Sequence, residues 1–210
     1  MDKVNKLTVA GIGPGGREYV LPAAAAAIKN ARVLIGGRRA LADFAQGGQK
    51  TMAITKDITS VVEFIKRELP AGGIVVMVSG DPGFWSFLDT LRREFPVEKI
   101  FVIPGISSLQ IAFSRLALPW HDAKLLSFHG RKPKDEDLIY KEGQILGFLT
   151  DGANNSAAIA KLLLSFGWPP DTPMHILANL SYDNEEIIAA TLNMAATSEP
   201  AGHCVVIVGE

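Results

Sequence analysis

Short apolar runs alternate along this chain with amphipathic stretches, and glycine- and proline-rich bends separate them. Residues 74–78 (IVVMV) are continuously apolar and rich in β-branched side chains, the pattern of a strand buried on both faces. The run stops at Ser79-Gly80-Asp81-Pro82-Gly83, where glycine opens unusual backbone angles and Pro82 ends the ladder. Similar runs at 7–12, 33–35 and 100–103 predict three more strands. Between them, helical spacing predicts helices over about 22–31, 38–44, 58–69 and 86–95. Pro22 suits a first helical turn, Asp57 suits an N-cap, and Ser107 suits the cap of a helix reaching about Leu116. Strand and helix thus alternate, which predicts a parallel sheet with crossover helices.

Leu118-Pro119-Trp120 breaks this rhythm, so the expected domains are 1–118 and 119–210. In the second half, strands are expected at 124–128, 144–150 and 204–208. The strands at 174–180 and 186–192 are expected to pair as a hairpin. Asn154 or Asn155 can cap a helix running to about Phe166. Residues 132–143 are polar and hold at most a short helix. The fold class expected is α/β, with a mostly parallel N-terminal sheet and a mixed C-terminal sheet.

Composition narrows the classes. The chain has 210 residues, 48% hydrophobic and 20% charged, as ordinary globular domains do. No apolar run reaches the roughly 18–20 residues of a bilayer span. Residues 1–6 are polar and lead straight into the first strand, so no signal peptide is expected. The single Cys204 forms no intrachain disulfide and suits a reducing cytoplasm. Residues 1–118 hold 15 Lys and Arg against 10 Asp and Glu, and residues 119–210 hold 6 against 12. A basic half without interleaved aromatics fits a small anionic ligand better than nucleic acid.

Candidate chemistry sits in the bends. Asp81 places a carboxylate at the end of a central strand, where open α/β sheets bind ligands; it can equally serve the turn itself. Gly11, Gly13 and Gly16 match the dinucleotide spacing G-x-G-x-x-G. Pro14 removes one N–H from that loop, and no acidic residue follows the second strand. Arg38 and Arg39 stand there and suit a 2′-phosphate, so an NADP-dependent reductase is a rival reading. His121, His129, His175, His203 and Cys204 show no metal-ligand spacing, so no metal is expected. His129 lies beside Arg131 at a strand end, as a plain loop histidine or as a group handling substrate or protons. Asp135-Glu136-Asp137 reads as a solvated face. If the sheet is parallel, the bends at 11–16, 80–83 and 104–108 share one edge.

GIGPGG at 11–16, SGDPGFW at 79–85 and PGISS at 104–108 resemble the tetrapyrrole methylases, in order along nearly the whole chain. VLIGGRRALADF at 33–44, SFHGR at 127–131, LTDGANNSAAIAKLL at 149–163 and NLSYDNEEI at 179–187 are similar to the precorrin-6Y methylase branch. One departure is Ala178, where relatives of this kind carry Glu. The resemblance implies S-adenosylmethionine-dependent methylation of a corrin precursor, precorrin-7 or cobalt-precorrin-7, at carbon 5 in cobalamin biosynthesis. It implies two α/β domains with the cofactor between them, usually in a homodimer, and a separate carbon-15 methyltransferase and decarboxylase as a partner. Implied cofactor contacts are Asp81, Gly83, Phe84, Ser107, Ser108, Leu149, Thr150, Ala178, Asn179 and His203. Gly13, Pro14 and Gly15 are implied on the substrate side, with His129 and Arg131 as catalytic candidates. Arg38, Arg39 and, more weakly, Lys29 are candidates for the substrate's carboxylates. A tetrapyrrole-binding module without catalysis is the remaining alternative.

Overall fold

The structure, a computed structural model, describes residues 6–202 and 204–209. The chain divides into two compact units, Met1–Ser107 and Ser108–Glu210.

The first unit alternates strand and helix: β1 Leu7–Gly11, α1 Pro22–Lys29, β2 Val33–Gly36, α2 Arg38–Phe44, β3 Lys50–Ala53, α3 Ile58–Glu68, β4 Ile74–Val78, α4 Leu88–Glu94 and β5 Ile100–Ile103. Its strands form one sheet in the order β3-β2-β4-β1-β5, and every pair is parallel. β4, the most apolar run, lies in the middle. Its side chains serve both faces by simple alternation. Ile74, Val76 and Val78 join Val61, Ile65 and Leu91 in one core, while Val75 and Met77 join Ala24, Ile28 and Leu34 in the other. So α1 and α2 cover one face, and α3 and α4 cover the other.

Local signals explain the helices. Pro22 occupies the first turn of α1, and the alanines after it favour helix. Asp57 caps α3, accepting the Ser60 N–H at 3.1 Å. β3 had no counterpart in the apolar pattern. It is a four-residue edge strand with exposed or half-exposed side chains, so burial leaves no periodic mark on it. α4 begins two residues later than helical spacing suggests. Ser86 Oγ donates to the Pro82 carbonyl and accepts the Leu88 N–H, which makes residues 82–87 a turn instead.

The second unit contains α5 Ser108–Arg115, β6 Lys124–Ser127, β7 Leu146–Leu149, α6 Ser156–Ser165, β8 Pro173–Ala178, β9 Glu186–Thr191, α7 Leu192–Thr197 and β10 Cys204–Val208. The strand order is β6-β7-β10-β8-β9. β6 and β7 are parallel, β10 is antiparallel to β7 and β8, and β8-β9 is the expected hairpin. α6 and α7 bury Ile159, Leu163, Leu192 and Ala195 against Phe148, Ile176 and Val206. α5 packs on β7 and β10. Gly147 makes room for it: an added Cβ would lie 3.0 Å from Leu109 and 3.2 Å from Phe113. This packing is why α5 falls in the second unit, where chain rhythm alone had grouped it with the first. Sequence periodicity also left α7 unread, because it has only six residues.

One buried acid ties the first unit together at the amino edge of its sheet. Glu68 accepts from Arg32 Nη1 at 2.8 Å and from Lys50 Nζ at 2.5 Å. Arg32 also donates to the carbonyls of Glu68 and Gly72. Lys50, then Arg32, holds the Glu68 carboxyl down at about 2. A lowered folded-state value stabilises the fold above the ordinary value of 4.5, and this is lost as pH falls towards 2. Glu68→Gln is therefore expected to lower the melting temperature near neutral pH. It should also flatten the acid-side decline between those limits, measured by thermal unfolding across a pH series.

Candidate functional site

The loops after β1 and β4 leave adjacent strands towards opposite faces, to α1 and α4. The carboxyl ends of β1 and β4 are therefore a topological switch point, the place where open α/β sheets hold ligands. β5 adds its own end beside β1. The bends at 11–16, 79–83 and 104–108 thus meet on one rim, as the parallel order requires.

The three backbones interlock there. Gly80 N donates to the Gly13 carbonyl at 2.8 Å, and Ile12 N to the Val78 carbonyl at 3.0 Å. A Cβ on Gly105 would fall 2.2 Å from the Gly80 carbonyl oxygen and 2.8 Å from Gly11 Cα. Only glycine at 11 and 105 permits this approach. Asp81 spans the rim: Oδ1 accepts the Gly83 N–H at 2.7 Å and Oδ2 accepts the Gly105 N–H at 2.9 Å. The two readings of Asp81 therefore combine, since its carboxylate fixes its own turn and also staples that turn to the next bend. Next to it, Phe84 and Trp85 are half-buried with ring centroids 4.4 Å apart. Trp85 has φ 48°, a left-handed posture that a bulky residue adopts at a cost of about 1–3 kcal/mol. Ser107 is buried and Ser108 is half-buried.

The glycine loop does not have dinucleotide geometry. A 3-10 turn at Arg17–Tyr19 follows Gly16, and α1 begins only at Pro22. No helix amino terminus stands at the third glycine to receive a pyrophosphate, which removes the structural basis for the reductase reading. Arg38 and Arg39 open α2 at the carboxyl end of β2, on the rim's edge of the sheet, and both are exposed. Lys29 closes α1 where the chain turns back into β2, at the opposite edge. Its candidacy fails on topology, because a crossover helix runs against the strands.

In the second unit, β6, β7 and β8 all run the same way, since β10 is antiparallel to both of its neighbours. Their carboxyl ends and the start of β10 share one edge. That edge carries His129 and Arg131 beyond β6, Leu149 and Thr150 ending β7, and Ala178 and Asn179 ending β8. His203 falls outside the described residues. Thr150 Oγ1 donates to the Cys204 carbonyl at 2.6 Å and lies 3.6 Å from its sulfur. Burial pushes the Cys204 thiol up. Ala178 is buried within the core, so only its main chain is offered to a ligand. Asn179 and Ser181 have φ 49° and 70°, left-handed strain of about 1–3 kcal/mol each, the kind that gathers at ligand-binding loops.

Asp151, two residues beyond β7, is a site-edge residue that the sequence alone does not single out. Its Oδ1 accepts the N–H groups of Asn154 at 2.7 Å and Ala153 at 3.0 Å, and the Asn154 side-chain amide at 3.0 Å. The Asn154 N–H leads in holding its carboxyl below the ordinary range, and nearby His129 adds to this. The spacing D-G-x-N at 151–154 is the local signal for such a turn.

A family model described as Tetrapyrrole (Corrin/Porphyrin) Methylases matches residues 6–196. The chain belongs to this family. It is 35% identical over 196 residues to the probable cobalt-precorrin-7 C(5)-methyltransferase of Methanocaldococcus jannaschii, covering 91% of this chain and 92% of that one. It is also 35% identical to the cobalt-precorrin-7 C(5)-methyltransferase of Salmonella typhimurium, over 86% of this chain and 88% of that one. The fold matches uroporphyrin-III C-methyl transferase from Thermus thermophilus, complexed with S-adenyl homocysteine, with a TM-score of 0.76. That match has 23% identity and covers 98% and 97% of the two chains.

The interlock makes a sharp prediction. Gly105→Ala forces backbone apart at the rim and should destabilise the protein by about 1–3 kcal/mol or more in denaturant melts. Gly130→Ala, where nothing lies within 4 Å of the added Cβ, meets only the penalty of its positive φ and should cost less.

Proposed function

We propose that this chain is an S-adenosylmethionine-dependent methyltransferase acting on carbon 5 of precorrin-7 or cobalt-precorrin-7 in cobalamin biosynthesis. The family supports the reaction class, and the two relatives at 35% identity, by their names, support the position. The observation that carries the reading is the staple from Asp81 to Gly105, which brings the second and third bends onto one rim.

The rim fits the cofactor by its chemistry. Half-buried Phe84 and Trp85 offer apolar surface for an adenosyl group, while Ser108 and exposed main chain at Gly83 offer polar contacts. Asp81 positions those contacts, and its charge favours a sulfonium nearby. Leu149, Thr150, Ala178, Asn179 and His203 are also proposed as cofactor contacts, as membership of the family implies.

When bound, S-adenosylmethionine supplies an already activated methyl group. The chain's own task is orientation and exclusion of water, and well-oriented encounter removes roughly 7–11 kcal/mol of barrier. Gly13, Pro14 and Gly15 are assigned to the substrate side of the rim. Arg38 and Arg39 are assigned to the substrate's carboxylates, which guanidinium groups bind in bidentate fashion. His129 and Arg131 remain the catalytic candidates on the substrate side, with His129 assigned to proton handling. We propose further that the protein is a cytoplasmic homodimer and that a separate protein methylates carbon 15. Among the described residues, no helix is long and apolar enough to cross a membrane.

Incubation with S-adenosylmethionine and either precorrin-7 or its cobalt form should add one methyl group, read by mass spectrometry. Binding of both ligands without transfer would leave only a binding module. Calorimetry of Asp81→Ala should show weaker binding of S-adenosylhomocysteine, and unchanged affinity would remove its role. His129→Ala and Arg131→Ala should slow single-turnover methylation while cofactor binding persists, and wild-type rates would place both outside the site.

A further inference from the structure

We infer that Arg115 and Glu185 are positioning residues, whose ion pair holds the segment after β8 in the posture that presents Asn179 to the cofactor. The inference rests on the proposed reading that Asn179 is a cofactor contact. Residues 179–185 link β8 to β9, and two of their first three residues are left-handed without being glycine. Such a segment relaxes unless its surroundings fix it. Its internal bonds are short-range: Tyr182 N donates to the Asn179 carbonyl at 3.0 Å, and Glu185 N to the Tyr182 carbonyl at 2.9 Å.

Glu185 supplies a long-range restraint. Its Oε2 accepts the Ser181 N–H at 2.7 Å, on one of the two left-handed residues. The same carboxylate receives Arg115, Nε to Oε1 at 2.5 Å and Nη2 to Oε2 at 3.2 Å. This is a fork-to-fork pair, which fixes direction as well as distance. The Glu185 side chain is 19% exposed and that of Arg115 is 35% exposed, so water screens the pair only in part. Arg115, followed by the Ser181 N–H, holds the Glu185 carboxyl below its ordinary range, so it is ionised at neutral pH.

Arg115 is the last residue of α5, and Ser108 is the first. Ser108 is itself a proposed cofactor contact. α5 is anchored on the sheet through Leu109 and Phe113, and at 1.5 Å per residue it spans about 12 Å. One short rigid helix therefore carries one contact at its start and sets the posture of another from its end. Residues 70 apart in sequence are coupled this way.

The test compares Arg115→Ala, Arg115→Lys and Glu185→Gln with wild type, by calorimetry of S-adenosylhomocysteine and by methyl-transfer kinetics. Arg115→Ala should weaken binding about tenfold, or about 1.4 kcal/mol. KM for S-adenosylmethionine should rise by more than kcat falls, with little change in melting temperature. Arg115→Lys should recover part of the affinity. Glu185→Gln keeps an acceptor for Ser181 but loses the charged fork, and should fall between wild type and Arg115→Ala. Hydrogen exchange at the Ser181 amide should quicken in each variant. Folded variants that bind like wild type would overturn the positioning role, as would a loss of melting temperature with affinity intact. A wild-type protein that binds no S-adenosylhomocysteine would instead overturn the functional reading itself, and this inference with it.

Discussion

At the rim of the first unit, backbone packs directly against backbone. Gly11, Gly80 and Gly105 come within van der Waals contact at the carboxyl ends of three parallel strands, and the Asp81 carboxylate closes the gap with two N–H bonds. Each element needs the others. Parallel order brings the bends to one edge, glycine lets them touch, and a short acid satisfies N–H groups that the touching leaves without ladder partners. A longer acid would overshoot, and an amide would present a donor where an acceptor is required. The rim is consequently rigid where the proposed reaction needs fixed geometry.

The second unit reaches a comparable edge by different means. A strand running the opposite way, β10, is inserted between β7 and β8, yet those two still end on the same side. Three strand ends are thereby brought to the same edge. Thr150 ties β7 to β10 at that edge, Asp151 closes the turn into α6, and Glu185 holds the strained segment after β8. Much of the polar chemistry near the proposed site is thus spent on main-chain groups of this chain. Among the described residues at these edges, the Asp81, Asp151 and Glu185 carboxylates are all engaged in this way. That suits a reaction whose methyl donor arrives activated and whose main demand is placement.

The strands buried on both faces were legible because burial leaves a periodic mark, as 74–78 shows. β3 left none, being a polar edge strand, and α7 is too short to show a period. Asp81 and the Gly-Pro bends were legible as candidates because turn chemistry is local. The pairing of Arg115 with Glu185 was not legible, since charged residues 70 apart carry no mutual signal in one sequence. Nor was the placement of α5, which depends on Gly147 leaving room beneath Leu109 and Phe113.

Apolar period, capping residues and breaker residues were enough to establish the α/β class, most of the elements and the three bends. These follow from interactions between residues a few positions apart. Which bends touch, which edge Lys29 occupies and what the Asp81 carboxylate accepts were decided by strand order. Strand order is a long-range choice, made by matching buried faces across the whole sheet, and no local stretch of chain encodes it.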